Sequence, residues 1–147
     1  MDILQRFQTY AAAFEETYVD DDWSRLERFF TEDASYEVQG MPAFPIHAQG
    51  RDAVFAALKG AVDGFDRKCA SRTLEVLAPP SVDGRKLTVY WAAVYTLDGA
   101  EDLRIVGYED AYFDEDGRIT RLVDRYLPED NEGLKAWLQA NQSRFQD

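Results

Sequence analysis

LRIVGYEDAYFDEDGRITRLVDRYL, residues 103–127, is the stretch from which the fold of this chain can be worked out. Two β-rich runs flank Asp116-Gly117, a dipeptide typical of a tight hairpin turn. Glu109, Asp110 and Asp124 lie inside these runs among apolar and aromatic residues. A carboxylate in a strand usually faces water. One that faces the core must be paired, protonated or functional, so the hairpin carries the first candidate site residues.

The composition is that of a globular protein with a sizeable core. The chain has 147 residues, of which 46% are hydrophobic and 14% aromatic, and we expect one domain over residues 1–147. The aromatic content is enough to line a cavity. The net charge of −12 argues against nucleic acid or an anionic membrane surface as a partner, because both attract excess Lys and Arg.

Cysteine, histidine and the termini give weaker indications. Cys69 is the single cysteine, so no internal disulfide can form. The N-terminal residues lack a basic start followed by an apolar run, so we expect no signal peptide and a cytoplasmic location. The acidic run at residues 20–22 is interpreted as a helix cap, and the lone histidine, His47, has no ligand partner at metal-site spacing. We therefore expect neither a metal nor an organic cofactor.

The order of elements follows from hydrophobic periodicity. An apolar stripe at helical spacing predicts a first amphipathic helix; its residues, interpreted as core, are Ile3, Phe7, Tyr10, Phe14 and Tyr18. The longest strand, LTVYWAAVYTL, has two uncharged faces. The predicted helices span about Asp2–Val19, Asp22–Thr31, Arg51–Phe65 and Asp130–Phe145. The predicted strands are Ala34–Gln39, Ala70–Ala78, Leu87–Leu97 and the two arms of the hairpin, with an irregular loop over Gly40–Gly50.

This order predicts an α+β fold with a four-strand antiparallel meander. A strongly bent, mostly antiparallel sheet wrapped around the N-terminal helices would form a cone-shaped α+β barrel whose open mouth leads to a ligand cavity. The uncharged outer face of residues 88–96 predicts that a second copy of the chain covers it, giving a homodimer.

Three segments carry a resemblance to a known family: FFTEDASYEV (29–38), FPIHAQGRDAV (44–54) and YFDEDGRI (112–119), followed by Asp124 and Tyr126. On these segments the chain resembles the nuclear transport factor 2-like superfamily, in its branch of SnoaL-like polyketide cyclases and ketosteroid isomerases. The resemblance covers nearly the whole chain and implies the cone-shaped fold. It is less specific for function, because this fold hosts isomerases, dehydratases, cyclases, epoxide hydrolases and binding modules.

The ketosteroid isomerase pattern is only partly retained. The catalytic base of that pattern would fall at Val38, which cannot accept a proton, and its oxyanion-hole tyrosine would fall near Phe14, which has no hydroxyl. Its neutral, protonated acid would fall at Glu109, which is retained in kind. The resemblance therefore does not imply steroid isomerisation by that mechanism.

A second pattern is better preserved. In limonene epoxide hydrolase-like and SnoaL-like members an aspartate follows the Gly-basic-Ile turn, and here that position is Asp124. The epoxide hydrolase pattern also requires an Arg and an Asp on the long strand, which supplies neither. SnoaL-like cyclases require mainly one well-placed acid or base in an apolar cavity, so the sequence remains compatible with the cyclase pattern.

Strand alternation predicts that Glu109 and Asp124 converge inside one hydrophobic chamber, while Asp110 faces outward toward Arg121 or Arg125. The first hypothesis is a cofactor-independent cyclase, isomerase or dehydratase acting on an apolar carbonyl compound, with Asp124 as base and Glu109 as acid. The alternative is a non-catalytic ligand-binding or dimerisation module. Substrate-binding residues are expected to be Tyr36, Trp91, Tyr95, Tyr126, His47 (at the cavity mouth) and Phe14.

Overall fold

In a computed structural model of the protein, which describes residues 2–42 and 44–145, the chain begins with an amphipathic helix, α1 (Ile3–Asp20). The carboxylate of Asp2 caps this helix by accepting hydrogen bonds from the backbone N–H groups of Leu4 and Gln5. The helix ends at Asp21, whose φ of 62° lies in the left-handed region. Its buried residues are Ile3, Phe7, Tyr10, Ala13 and Thr17. The first three belong to the predicted apolar stripe, whose other members, Phe14 and Tyr18, are half-buried.

Two more α-helices and seven strands follow. The helix predicted over Asp22–Thr31 is a 3-10 helix at Trp23–Phe29, and the last predicted helix is divided into an α-helix at Pro128–Ala140 and a 3-10 helix at Gln142–Arg144. The α-helices are α2 (Arg51–Gly64) and α3 (Pro128–Ala140). The strands are β1 (Phe30–Gln39), β2 (Ile46–Gln49), β3 (Ser71–Val76), β4 (Ser81–Asp83), β5 (Lys86–Thr96), β6 (Leu103–Phe113) and β7 (Ile119–Tyr126).

The strands form one open, mixed sheet in the order β2-β1-β7-β6-β5-β3, with β4 paired to β5. All neighbouring pairs are antiparallel except β1 and β7, which run parallel with Val38 opposite Asp124. The sheet thus contains the predicted antiparallel meander, and the expectation of an α+β fold with a mostly antiparallel sheet is confirmed. The parallel pair was not predicted.

Two short strands also lie outside the sequence prediction. β2 runs through the segment expected to be an irregular loop, and pairs antiparallel with β1. β4 forms a small hairpin with β5 just before the long strand. Each gains its hydrogen bonds from a neighbouring strand rather than from its own sequence pattern.

The inner face of the sheet packs against helices at two places. One core cluster joins α1, the 3-10 helix at Trp23–Phe29 and α2 to the sheet, with Leu26, Phe30 and Val54 completely buried. A second cluster joins α3 to the sheet through Leu134 and Trp137. None of the helices within the described residues combines the length and the apolar character that crossing a membrane requires.

Candidate functional site

A cavity of about 320 Å³ lies between the inner face of the sheet and the helices α1 and α2. Its wall is largely aromatic and apolar, with a small number of ionisable side chains. This combination is typical of a site for a small organic molecule. The predicted site residues that line it are Phe14, Tyr36, Trp91, Tyr95, Glu109, Asp124 and Tyr126.

Glu109 and Asp124 lie directly opposite each other on β6 and β7. Because side chains alternate along a strand, their neighbours Asp110 and Arg125 point to the outer face of the sheet. There Arg125 Nε donates to Asp110 Oδ2 at 2.7 Å, and Thr88 donates to Asp110 Oδ1 at 2.7 Å. The outer carboxylate is thus fully paired with polar groups, while the two inner carboxyls face the cavity.

Tyr36 fixes the orientation of Asp124. Its hydroxyl, on β1, donates a hydrogen bond to Asp124 Oδ2 at 2.6 Å. The other oxygen, Asp124 Oδ1, is buried and makes no hydrogen bond with any residue in the described part of the chain. A buried acceptor without a hydrogen-bond donor destabilises the fold, so we expect a neighbouring group to donate a hydrogen bond to this oxygen. Glu109, its partner in the strand register, can supply one when protonated.

The pKa values of the two carboxyls are affected differently by their surroundings. Burial, and next the negative charge of Asp124, raise the pKa of Glu109 well above its usual range. Burial also raises the pKa of Asp124, but the Glu109 carboxyl and the Tyr36 hydroxyl oppose that rise because both favour its ionised form. The arrangement therefore places the proton on Glu109 and leaves the negative charge on Asp124.

Gly107 makes room for two of the aromatic side chains. A Cβ at this position would lie 3.0 Å from Trp91 Cζ2 and 3.2 Å from Tyr126 Cδ1. The rings of Trp91 and Tyr126 meet edge to face with centroids 5.7 Å apart. The buried Nε1 of Trp91 makes no hydrogen bond with a described residue, so the cavity wall holds an unpaired donor as well as an unpaired acceptor.

The structure corrects the expectation for His47. This side chain is exposed on β2, opposite Glu37 of β1, and is not among the described residues that line the cavity. The alternation of β2 turns the buried Ala48 inward and its neighbour His47 outward. A strand in place of the expected loop thus removes His47 from the site.

Tyr10 is a cavity residue that the sequence analysis assigned to the core. It lies on α1 one helical turn before Phe14, is 4% exposed, and lines the cavity. Burial, and next the nearby Glu109–Asp124 carboxyl pair, raise the pKa of Tyr10 well above its usual range, so the phenol stays protonated and can donate. The four-residue spacing to Phe14 was the available signal.

A cluster of three ionisable side chains, which the sequence did not predict as part of the site, lies at the β3 side of the cavity. Arg72 Nε is 2.9 Å from Asp66 Oδ2, and Arg72 Nη1 is 3.0 Å from Glu15 Oε1. All three residues line the cavity. Across residues 2–42 and 44–145, no three His, Cys, Asp or Glu side chains are grouped so that they could hold a metal ion.

Comparison of the sequence with models of known protein families gives a match to one family. The pattern of the SnoaL-like domain matches residues 10–122. No curated protein matches the chain.

Solved structures share the fold at low sequence identity. An NTF2-like protein of unknown function from Burkholderia pseudomallei is 15% identical over 93% of this chain and 98% of its own, with a TM-score of 0.67. SalBIII, an epoxide hydrolase/cyclase-like enzyme in pyran ring formation in the polyether salinomycin, is 19% identical over 88% and 95%, with a TM-score of 0.60. An LEH-like epoxide hydrolase from M. tuberculosis is 17% identical over 92% and 93%, with a TM-score of 0.59.

Proposed function

The chain belongs to the SnoaL-like domain family, and from this membership and the cavity we propose that it is a cofactor-independent acid–base enzyme. Its reaction is a cyclisation, isomerisation or dehydration of an apolar carbonyl compound. One observation carries the proposal: Glu109 and Asp124 face each other inside an aromatic cavity, and neither forms an ion pair with a described basic residue. Two carboxyls held in this way can divide the roles of acid and base.

The chemistry begins with the carboxylate of Asp124. It removes a proton from the carbon next to the substrate carbonyl, and the electrons of that C–H bond move into the enolate. The protonated Glu109 donates a hydrogen bond to the carbonyl oxygen, on which the negative charge develops. The enolate then reacts in one of three ways, each of which uses the proton that Asp124 has taken. Its carbon attacks an electrophilic carbon, and Asp124 returns the proton to the oxygen released there; or it expels a β-hydroxyl, which leaves as water with that proton; or, where it is conjugated with a C=C bond, it takes the proton at the γ-carbon. These three outcomes are cyclisation, dehydration and isomerisation.

Neighbouring side chains support these two roles. The hydrogen bond from Tyr36 keeps Asp124 in one orientation, which a base needs if it is to meet the substrate C–H bond. The hydroxyl of Tyr10 is a further donor in the cavity wall. Trp91, Tyr95 and Tyr126 offer flat apolar surface, which suits a planar substrate.

The alternative, a module without catalysis, would use the same carboxyls as structural anchors. They would then point into solvent or into ion pairs, as Asp110 does with Arg125. No ion pair of Glu109 or Asp124 occurs among the described residues, and both line the cavity. This arrangement favours the enzyme.

A thermal-shift screen tests the proposal. The panel contains planar polycyclic ketones, phenols, terpenoid epoxides and short polyketides, measured with the native protein, Glu109→Gln and Asp124→Asn. A ligand of the folded state raises the melting temperature. We expect ketones or phenols to stabilise the native protein and to lose that effect in either variant. Glu37→Gln, which removes a carboxylate from the outer face near Arg121, should behave as the native protein does.

Turnover of any ligand found in this way separates an enzyme from a binding protein. Asp124→Asn should lower the turnover rate by about 10²- to 10⁴-fold, because the base is lost while the side-chain shape is kept. An unchanged rate would show that Asp124 is not the base. Binding that ignores both substitutions, without turnover, would favour the non-catalytic module.

A further inference from the structure

The cavity has a charged side as well as an acid–base side. Arg72 of β3 is the only basic residue among the described residues that line it, whereas the acidic lining residues are Glu15, Asp66, Glu75, Glu109 and Asp124. A lone arginine in an aromatic cavity would ordinarily indicate an anchor for a carboxylate or phosphate group. The contacts of Arg72 decide whether it can serve as one.

Arg72 is already fully engaged. Glu15 receives two hydrogen bonds, from Nη1 at 3.0 Å and from Nη2 at 3.2 Å. Asp66 lies against Nε at 2.9 Å, and the ring of Tyr18 lies beneath the guanidinium at 4.8 Å. The side chains of Arg72 and Asp66 are only 9% and 16% exposed, whereas that of Glu15 is 48% exposed, so Arg72 and Asp66 are held within the wall and Glu15 lies on their solvent side. An anionic ligand would bind to the N–H donors along the edges of the guanidinium, and two carboxylates already occupy those donors.

The local charge follows from this pairing. Glu15 and Asp66 together outweigh the single positive charge of Arg72, and the Glu109–Asp124 pair adds a further negative charge on the opposite wall. Charges that face a cavity of low dielectric interact strongly over these distances. An anionic ligand would lose its hydration and meet repulsion from both sides. A neutral ligand meets neither penalty, and an ammonium group is attracted by the carboxylates and the aromatic faces.

We propose that Glu15 and Asp66 are specificity residues which, by neutralising Arg72, make the cavity accept uncharged or cationic hydrophobic compounds and reject anionic ones. This inference rests on the proposed function in one respect, namely that the cavity binds a ligand. It narrows the substrate class to carbonyl compounds without a carboxylate or phosphate group.

Three probes of the same size test the charge preference. Naphthalen-2-ylmethanol is neutral, naphthalen-2-ylmethylamine is cationic, and naphthalene-2-carboxylate is anionic at pH 7.5. Dissociation constants are measured by calorimetry at low ionic strength. We expect the alcohol and the amine to bind the native protein and the carboxylate to bind at least about tenfold more weakly.

The decisive variant should gain affinity for the anionic probe. In the double variant Glu15→Gln/Asp66→Asn, Arg72 loses both anionic partners, and we expect the affinity for the carboxylate probe to rise by about tenfold or more. The affinity for the alcohol should stay within about twofold. Glu16→Gln/Asp63→Asn is the matched control, because it makes the same change in net charge at acids that contact Arg25, Lys59 and Arg67 instead.

Each outcome has one meaning. A carboxylate that binds the native protein as tightly as the alcohol overturns the charge preference and leaves the ligand cavity standing. An equal gain in the control variant overturns the role of Glu15 and Asp66, because net charge alone would explain it. If none of the three probes binds the native protein, the ligand cavity and the preference are both overturned. If the double variant no longer binds the alcohol, the single variant Glu15→Gln replaces it, because Glu15 is the more exposed of the two acids. We expect Glu15→Gln to bind the carboxylate probe more tightly than the native protein does. No gain in that affinity overturns the proposal.

Discussion

Glu109 and Asp110 are neighbours in sequence and opposites in environment. Glu109 faces the cavity, and burial raises its pKa. Asp110 faces the outer side of the sheet, where burial also disfavours its charge, but hydrogen bonds from Arg125 and Thr88 outweigh that effect and lower its pKa. The alternation of a β-strand thus turns one carboxyl into the cavity and the next into an ion pair on the outer face.

At the residue scale, Asp66 makes a prediction about pH. Burial raises the pKa of Asp66 from 3.8 to about 6 despite the charge of Arg72. The folded protein therefore holds this proton more tightly than the unfolded chain does. The stability that this proton provides is complete below about pH 4 and is lost as the pH rises through about 6.

Urea unfolding of native protein and Asp66→Asn between pH 4 and pH 7 measures this effect. The free energy of unfolding of the native protein, relative to that of the variant, should fall by about 2–3 kcal/mol across the range. Asp63→Asn is the control, because its carboxylate lies in ion pairs that lower its pKa and should not produce a fall in this direction. A difference that is constant, or that grows with pH, would contradict the prediction.

The residues of the site were predictable to the extent that strand alternation determines them. Glu109, Asp124 and Tyr36 point to one side because they lie at alternating positions on strands whose pattern is clear from the sequence. His47 could not be placed, because its direction depends on a short strand that pairs with β1. Tyr10 was assigned to packing, because a helical stripe looks the same whether it meets a core or a cavity.

At the element scale, Gly40 ends β1 in a way that no other residue can. Its φ is 78°, and a Cβ would lie 2.1 Å from the carbonyl oxygen of Tyr126 at the end of β7. We expect Gly40→Ala to lower the free energy of unfolding by more than about 2 kcal/mol, through backbone strain and the clash together.

A second glycine gives the contrast. Gly60 lies within α2, and a Cβ there would meet nothing within 4 Å. Gly60→Ala should raise stability by about 0.5–1 kcal/mol, because alanine restricts the unfolded chain and favours helix. Equilibrium unfolding of both variants checks the pair, and equal effects would show that the contact between Gly40 and β7 does not constrain the fold.

The elements themselves were predictable where periodicity was strong and long. The helices α1 and α2 and the strands β5, β6 and β7 lie within a few residues of the expected bounds. The parallel pairing of β1 with β7 was not accessible, because no local pattern records which distant strand completes a ladder. The 3-10 helix at Trp23–Phe29 shows the same limit, since its buried residues fit either helical form.

At the scale of the whole molecule, the outer face of the sheet predicts a homodimer. The rings of Tyr90 and Tyr108 stack there with centroids 4.7 Å apart, and the outward residues of β5 between positions 88 and 96 carry no charge. We expect sedimentation equilibrium to show a dimer at micromolar concentration. Val94→Lys, which places a second cation opposite Arg104 on β6, should give a monomer.

Val19→Lys provides the control, since Val19 is an 84% exposed valine at the end of α1, away from the sheet. It should leave the dimer intact. A native protein that sediments as a monomer would contradict the prediction, as would dissociation in both variants.

The hydrogen bond between Tyr36 and Asp124 joins residues that are 88 positions apart in the chain. Contacts of such long range form late, because a large loop must close before they contribute. During synthesis on the ribosome, the emerging chain cannot complete the cavity until β7 has been made and has docked beside β1. We expect a bound ligand to slow unfolding and to leave the rate of folding nearly unchanged, which is the behaviour of a site assembled after the main folding barrier; stopped-flow kinetics with and without ligand would measure both rates.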